Sequence, residues 1–191
     1  AAGGVGLIAC QWAKALGANL IGTVGSEEKA QRAKEAGAWA TINYQTEDIV
    51  ARVKELTNNQ KVDVVYDSVG KDTFERSLDS LKPRGLLVSF GNASGPVSGV
   101  NLGILSQKGS LFVTRPSLGS YITNREELKT ASDELFSLIA SGAIKVDVSD
   151  AQKFPLSVLL EKKKQDKTAE SRACSDHRQK RQMCVWRVLD L

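Results

Sequence analysis

Up to about residue 145, short and nearly all-apolar runs alternate with longer stretches of helical period. That alternation marks βαβ units and a mostly parallel sheet covered on both faces. A first helix is expected over Gly6–Leu16, with Leu7, Cys10 and Trp12 or Ala13 on its apolar face and Gly17 as its stop. Asn19–Val24 reads as a strand buried on both sides. Ser26 stands where an N-cap belongs, and Glu27 and Glu28 place negative charge in the first turn of a helix reaching Ala36. Lys29 replaces the acid of a full capping box. Ala40–Asn43 is a short strand, the third when the strand expected before the glycine loop is counted, and Glu47–Leu56 a helix turning Ile49, Val50, Val53 and Leu56 inward.

Val62–Asp67 (VDVVYD) has the character of a central strand. Asp72 or Thr73 caps a helix running through Leu81, Pro83-Arg84-Gly85 makes a turn, and Leu86–Phe90 is the next strand. The small residues of Gly91–Gly99 form a loop, Leu102–Leu105 a short helix and Gly109–Val113 a strand. Glu126–Ser141 is a long amphipathic helix carrying Leu128, Ala131, Leu135, Leu138 and Ile139 on one side, with Gly142 as its stop. Ile144–Val148 is expected as a strand leaving this layer. From Leu159 the pattern breaks, Glu161–Glu170 is almost wholly polar, and Cys184–Leu189 has the makings of a short strand.

The fold expected is a Rossmann-type, doubly wound parallel α/β sheet. Residues 1–145 would form the dinucleotide-binding domain, and 146–191 a returning segment with an irregular basic tail from about 160. Ala1-Ala2-Gly3-Gly4-Val5-Gly6 fits the spacing G-x-G-x-x-G with alanine first. A small first residue permits the tight turn, Gly3 lets the backbone approach a pyrophosphate, and Gly6 permits close helix–strand packing. The strand that should precede this loop is not in the sequence, so the sheet is expected to be incomplete, with two edges exposed at its centre.

Charge and cysteines change this picture little. The net charge of +4 lies wholly in residues 161–191, which carry nine basic and five acidic residues. A solvated tail accounts for it; contact with RNA is possible but nothing in the sequence demands it. Cys10, Cys174 and Cys184 form no even framework, which fits free thiols and a cytoplasmic location. With His177 as the single histidine, no metal site is expected. No apolar run is long enough to span a bilayer, and the first residues lack the basic start of a signal peptide.

The end of the second expected strand bears on cofactor choice. NAD-preferring domains place an Asp or Glu there, about 20 residues past the loop, to bond the ribose hydroxyls. This chain has Val24-Gly25-Ser26, followed by Lys29. Gly25 leaves room for a 2′-phosphate, Ser26 offers a hydroxyl, and Lys29 lies one turn into the next helix. Tyr44, past the third strand, can cover the same rim or pack there as an edge aromatic. Glu27 and Glu28 would point to solvent. NADPH is the expected cofactor. Two later loops also sit at strand ends, Asp67-Ser68-Val69-Gly70 and Phe90-Gly91-Asn92-Ala93-Ser94-Gly95. Asn92 could bond a ligand or its own turn, and Asp67 reads as a structural loop residue.

Asp63 and Asp67, four apart on a strand, read as a turn residue and a rim charge, not an acid–base dyad. No catalytic residue, G-x-S-x-G elbow or Tyr-x-x-x-Lys pair is assigned. That suits hydride transfer, in which the cofactor carries the chemistry and the protein supplies position.

AAGGVGLIACQWAKALGA (1–18), IGTVGSEEKA (21–30), INY (42–44), VVYDSVGKDTFERSLDSLKPRGLLVSFGNASG (64–95), NLGILSQKGSLFVTRPSL (101–118) and ASDELFSLIASGAIKVDV (131–148) together carry a resemblance. Over roughly residues 1–156 the chain resembles the zeta-crystallin-type NADPH:quinone oxidoreductases of the medium-chain dehydrogenase/reductase superfamily. The resemblance implies a zinc-free, two-domain enzyme with a GroES-like catalytic domain that is absent here. It further implies NADPH oxidation by a quinone acceptor, and homodimers formed through the nucleotide-binding domains. By similarity, Gly3, Gly4 and Val5 line the pyrophosphate site. Gly25 and Lys29 hold the 2′-phosphate region, joined by Tyr44. Ser68 and Val69 run along the cofactor, and Phe90, Gly91, Asn92 and Ala93 approach the nicotinamide half. Val113, Thr114 and Arg115 follow the dimer-forming strand and reach the nicotinamide side. Past KFPL (153–156) the chain departs from the family, although Glu170-Ser171-Arg172-Ala173 still matches and places Arg172 at a cofactor-contacting position. A medium-chain enoyl or alkenal reductase, and a non-catalytic crystallin-like or RNA-binding relative, are the alternatives. The chain by itself is expected to turn over little or no substrate.

Overall fold

The computed structural model describes residues 1–146 and the backbone of 184–187. Leading the chain is α1 (Gly4–Ala15), then β1 (Asn19–Val24), α2 (Glu27–Glu35), β2 (Ala40–Asn43) and α3 (Ile49–Leu56). Next come β3 (Val62–Asp67), α4 (Phe74–Asp79), β4 (Leu81–Ser89), α5 (Gly103–Gln107), β5 (Phe112–Thr114), α6 (Leu118–Tyr121) and α7 (Arg125–Ala140). The last described element is β6 (Cys184–Arg187).

Side-chain caps start three of the seven described helices. Ser26 Oγ accepts from Lys29 N at 3.3 Å at the head of α2, and Asp48 Oδ1 from Ala51 N at 2.7 Å at the head of α3. The Asp48 cap moves the start of α3 past Glu47, whose carboxylate instead accepts from Asn43 N at 2.7 Å. Asn124 caps α7 by accepting from both Glu126 N and Glu127 N. The short α6 was not anticipated.

Sheet order is β2-β1-β6-β3-β4-β5. β2 on β1, β3 on β4 and β4 on β5 are all parallel. This is the Rossmann-type arrangement. Two apolar layers flank it. On one side Ile21, Ile42, Ile49, Val53, Val65, Leu78 and Leu87 pack together. Opposite them lies an alanine-rich layer in which Ala9, Cys10 and Ala13 of α1 meet Leu20, Val24, Ala30 and Ala33. Small side chains there let α1 lie close to the sheet. A Cβ on Gly6 would come 2.2 Å from the carbonyl oxygen of Ala1, so α1 could not cross there with any other residue.

The expected open centre of the sheet is filled. β6 lies between β1 and β3 and is antiparallel to both, with Val185 opposite Ile21 on one side and Val65 on the other. Two edges of β1 and β3 that the sequence left bare thereby gain ladder partners. β4 also differs from expectation. It begins at Leu81 and runs through the anticipated turn, which becomes a bulge: pairing jumps from Val62–Leu81 to Val64–Leu86, and Arg84 takes φ +61°. An ion pair between Lys82 and Asp63 flanks the bulge. β5 starts three residues later than expected, after Ser110 in a left-handed conformation.

Residues 144–146 form no strand. Ile144 is buried, and the side chain of Gln11 clasps the backbone of Lys145, Oε1 accepting at 2.7 Å and Nε2 donating at 3.1 Å. Positions 147 and 148 of that expected strand lie outside the described residues. On α7, Leu135, Leu138 and Ile139 are half-buried while Leu128 and Ala131 are exposed. The compact unit that holds the sheet includes residues 1–145 and β6.

Candidate functional site

Parallel strands put all their carboxyl ends on one edge, where open α/β sheets bind ligands. The residues after β1, β2, β3, β4 and β5 therefore gather there, and the head of α1 joins them. Ala1 sits beside the end of β1, its amino group donating to the carbonyl of Thr23. Gly3 is the N-cap of α1 and makes no side-chain cap bond, and the first turn of α1 carries no acid. Gly3, Gly4 and Val5 are exposed. A twelve-residue helix thus presents main-chain N–H groups and the positive end of its dipole at this edge.

Gly25 and Tyr44 meet directly. A Cβ on Gly25 would stand 2.5 Å from the Tyr44 hydroxyl oxygen, so only glycine leaves that ring its place. Tyr44 is half-buried, and desolvation holds its hydroxyl above the usual tyrosine range. Ser26 is spent partly on the cap of α2. Lys29 is exposed in the first turn of α2, close in the chain to Gly25. Glu27 does not simply face solvent, because its Oε1 accepts from Asn43 Nδ2 at 3.0 Å. That bond ties the nearest carboxylate to β2.

The loops after β3 and β4 form one knitted unit. Phe90 N and Gly91 N both donate to the Asp67 carbonyl, at 2.9 and 3.3 Å, and Ala93 N donates to the Ser68 carbonyl at 3.2 Å. Ser94 N donates to the Val69 carbonyl at 2.8 Å. A Cβ on Gly91 would lie 2.3 Å from the Ser68 carbonyl oxygen. Ser68 is half-buried and Phe90 exposed on this unit. Val69 is different: its side chain is buried, and its N–H and carbonyl are both bonded within the loops.

Arg115, at the end of β5, reaches back over the second loop. Its Nη1 donates to the Ser89 carbonyl at 2.8 Å and to the Gly91 carbonyl at 3.0 Å. With the Asn92 amide in the orientation that satisfies it, the side-chain oxygen accepts from Arg115 Nη2 at 3.2 Å and the nitrogen donates to the Gly91 carbonyl at 3.0 Å. Asn92 therefore bonds its own turn and Arg115. Val113 is exposed on β5 and Thr114 half-buried. Arg172 lies outside the described residues.

Asp67 is the structural loop residue expected, and not the rim charge: it is 1% exposed. The hint in the sequence was the run Asp67-x-x-Gly70-x-x-Thr73-x-x-x-Ser77, an acid followed by a glycine and two hydroxyls on a helix start.

A match over residues 4–137 to the model for zinc-binding dehydrogenases settles the family. The chain belongs to the zinc-binding dehydrogenase family. It is 75% identical over 156 residues to a quinone oxidoreductase of Salmonella typhimurium, a match covering 82% of this chain and 48% of that protein. Against a 2-haloacrylate reductase of a Burkholderia species it is 47% identical over 157 residues, covering 82% of this chain and 46% of that protein. The solved structure of Escherichia coli quinone oxidoreductase complexed with NADPH superposes with a TM-score of 0.81 at 63% identity, over 98% of this chain and 55% of that one. The chain spans about half the length of the curated relatives it matches.

The family's description implies zinc. Among the described residues no three His, Cys, Asp or Glu side chains converge as metal ligands. Cys10 is buried in the alanine-rich layer under α1, and His177 lies outside the described residues. The described residues do not fit a zinc centre.

Proposed function

We propose that this chain supplies the cofactor-binding part of an NADPH-dependent quinone reductase. Residues 1–145 would be the dinucleotide-binding domain, and 146–191 the segment leading back toward a catalytic domain. The observation that carries the cofactor choice is the end of β1. Gly25 stands there under Tyr44 with Ser26 and Lys29 beside it, and the nearest acid, Glu27, is held by Asn43. A 2′-phosphate meets a cation and hydroxyls there in place of a carboxylate. The pyrophosphate would lie at the head of α1 against Gly3, Gly4 and Val5. Ser68 and Val69, then Phe90, Gly91, Asn92 and Ala93, would run along the nicotinamide half, with Val113, Thr114 and Arg115 beyond them and Arg172 contributing from the returning segment.

The bound nicotinamide would supply the hydride. The chain's own share is to fix its position and to keep water from the loop side. The acceptor pocket would come from a catalytic domain, so the isolated chain should oxidise NADPH poorly with any quinone. The relatives include both a quinone oxidoreductase and a 2-haloacrylate reductase, which favours an enoyl-type reductase as the second reading.

Calorimetric titration tests the cofactor reading. NADPH should bind at least about tenfold more tightly than NADH, equivalent to about 1.4 kcal/mol. Lys29→Glu should remove most of that preference while leaving NADH affinity nearly unchanged. Equal binding of the two nucleotides by the unsubstituted chain would overturn it.

The edge strand supports a homodimer. Among the described residues β5 pairs only with β4, and Phe112 and Val113 are 61% and 41% exposed. Phe112→Glu should shift the chain toward monomer in sedimentation. A species of unchanged mass would argue against this edge as the interface.

A further inference from the structure

Among the described residues, Asp67 is the only charged side chain in the core. A buried carboxylate is costly unless every lone-pair direction is met by a donor. Here each oxygen has two. Oδ1 accepts from Val69 N at 2.7 Å and Gly70 N at 3.1 Å, and Oδ2 from Thr73 Oγ1 at 2.7 Å and Ser77 Oγ at 2.8 Å. The main chain of the same residue holds the next strand's end, accepting from Phe90 N and Gly91 N. One residue therefore joins the end of β3, the head of α4 and the loop after β4.

The consequence falls on Ser68. Its carbonyl accepts from Ala93 N and lies 2.3 Å from where a Cβ on Gly91 would be, so the two loops meet closely there. Its place is set from the Asp67 side by the turn that the carboxylate closes. From the other side the Gly91 carbonyl is held by Arg115. Gly25 and Ser26 follow β1, Lys29 lies in the first turn of α2 and Tyr44 follows β2, on elements other than those that Asp67 joins.

We propose that Asp67 is a positioning residue for the nicotinamide half of the nucleotide. Its carboxylate fixes Ser68–Gly70 against Gly91–Ser94 as one rigid floor, while the adenosine half binds independently of it. This rests on the cofactor reading above and adds a division of labour within the site.

The test uses the full chain with Asp67→Ala and Asp67→Asn, each titrated with NADPH and with 2′,5′-ADP, which lacks the nicotinamide. Asp67→Ala should weaken NADPH by about tenfold or more and leave 2′,5′-ADP within about twofold. Asp67→Asn should recover most of the NADPH affinity. Its carbonyl oxygen can still accept from the two amides, and the Thr73 and Ser77 hydroxyls can turn to accept from its NH₂. Equal losses for both ligands would mean general loosening of the fold and would overturn the proposal, as would undiminished NADPH binding. If Asp67→Ala does not fold, Ser77→Ala removes a single donor and should show the same split in smaller measure.

Amide exchange separates this inference from the cofactor reading. In ligand-free Asp67→Ala, exchange should quicken at Val69, Gly70, Ala93 and Ser94 and stay unchanged in β1 and β2. Should the unsubstituted chain bind neither nucleotide, the cofactor reading fails, and that exchange pattern alone decides whether Asp67 holds the loops. Unchanged exchange at those four amides would overturn the positioning role.

Discussion

Gly91→Ala should cost stability and nucleotide affinity together. The added Cβ would lie 2.3 Å from the Ser68 carbonyl oxygen and 2.7 Å from its Cα, so backbone would have to move. Neither side can yield cheaply. Ser68 is pinned by Ala93 N and by the turn that Asp67 closes, and Gly91 by its own N–H to Asp67 and by Arg115 on its carbonyl. Overpacking of this kind costs about 1–3 kcal/mol, a fall of several degrees in thermal midpoint for a domain this size. The loops would part where the nicotinamide half is proposed to lie, so NADPH should weaken as well. Gly4→Ala is the matched stability control. A Cβ there meets nothing within 4 Å, and alanine favours the helix. A Gly91→Ala variant as stable as the parent would show that the two loops adjust independently.

Val185→Pro should be the more damaging change. Val185 lies in the middle of β6, opposite Ile21 on one side and Val65 on the other. Proline has no N–H to give to the ladder and does not fit the interior of a central strand, so a ladder bond is lost and the strand's pairing on both sides is disturbed. Denaturant unfolding should move to lower midpoint, and amides of β1 and β3 should lose protection against exchange. Full stability in the variant would mean that β1 and β3 do not depend on this strand.

Much of this architecture can be read from local pattern. β1, β2 and β3 match their expected bounds because each is a short apolar block closed by a glycine or a polar cluster. Gly25 and Tyr44 could be paired from their places after neighbouring parallel strands. Other features turn on contacts between distant residues. The bulge in β4 arises where Val62 pairs with Leu81 before the ladder resumes at Val64 and Leu86, so Pro83-Arg84-Gly85 signals a turn that tertiary pairing absorbs. Glu27 looks solvated until β2 brings Asn43 to it. Burial of Asp67 depends on hydroxyls six and ten residues away along α4, and composition alone cannot distinguish it from a rim acid. The strand Cys184–Arg187 was visible as a short apolar run, but its place between β1 and β3 was not, because nothing local says which edges a strand will join.

That placement has a consequence for the order of events during synthesis. The flanks of the central slot, β1 and β3, are complete once Asp67 has been made, yet their partner begins only at Cys184. At about 5–20 residues per second the ribosome takes roughly 6 to 23 s to cover that interval. Throughout it β6 does not yet exist to pair with either strand, so the ladders it makes with β1 and β3 belong to the last stage of folding, after the rest of the sheet has been synthesised.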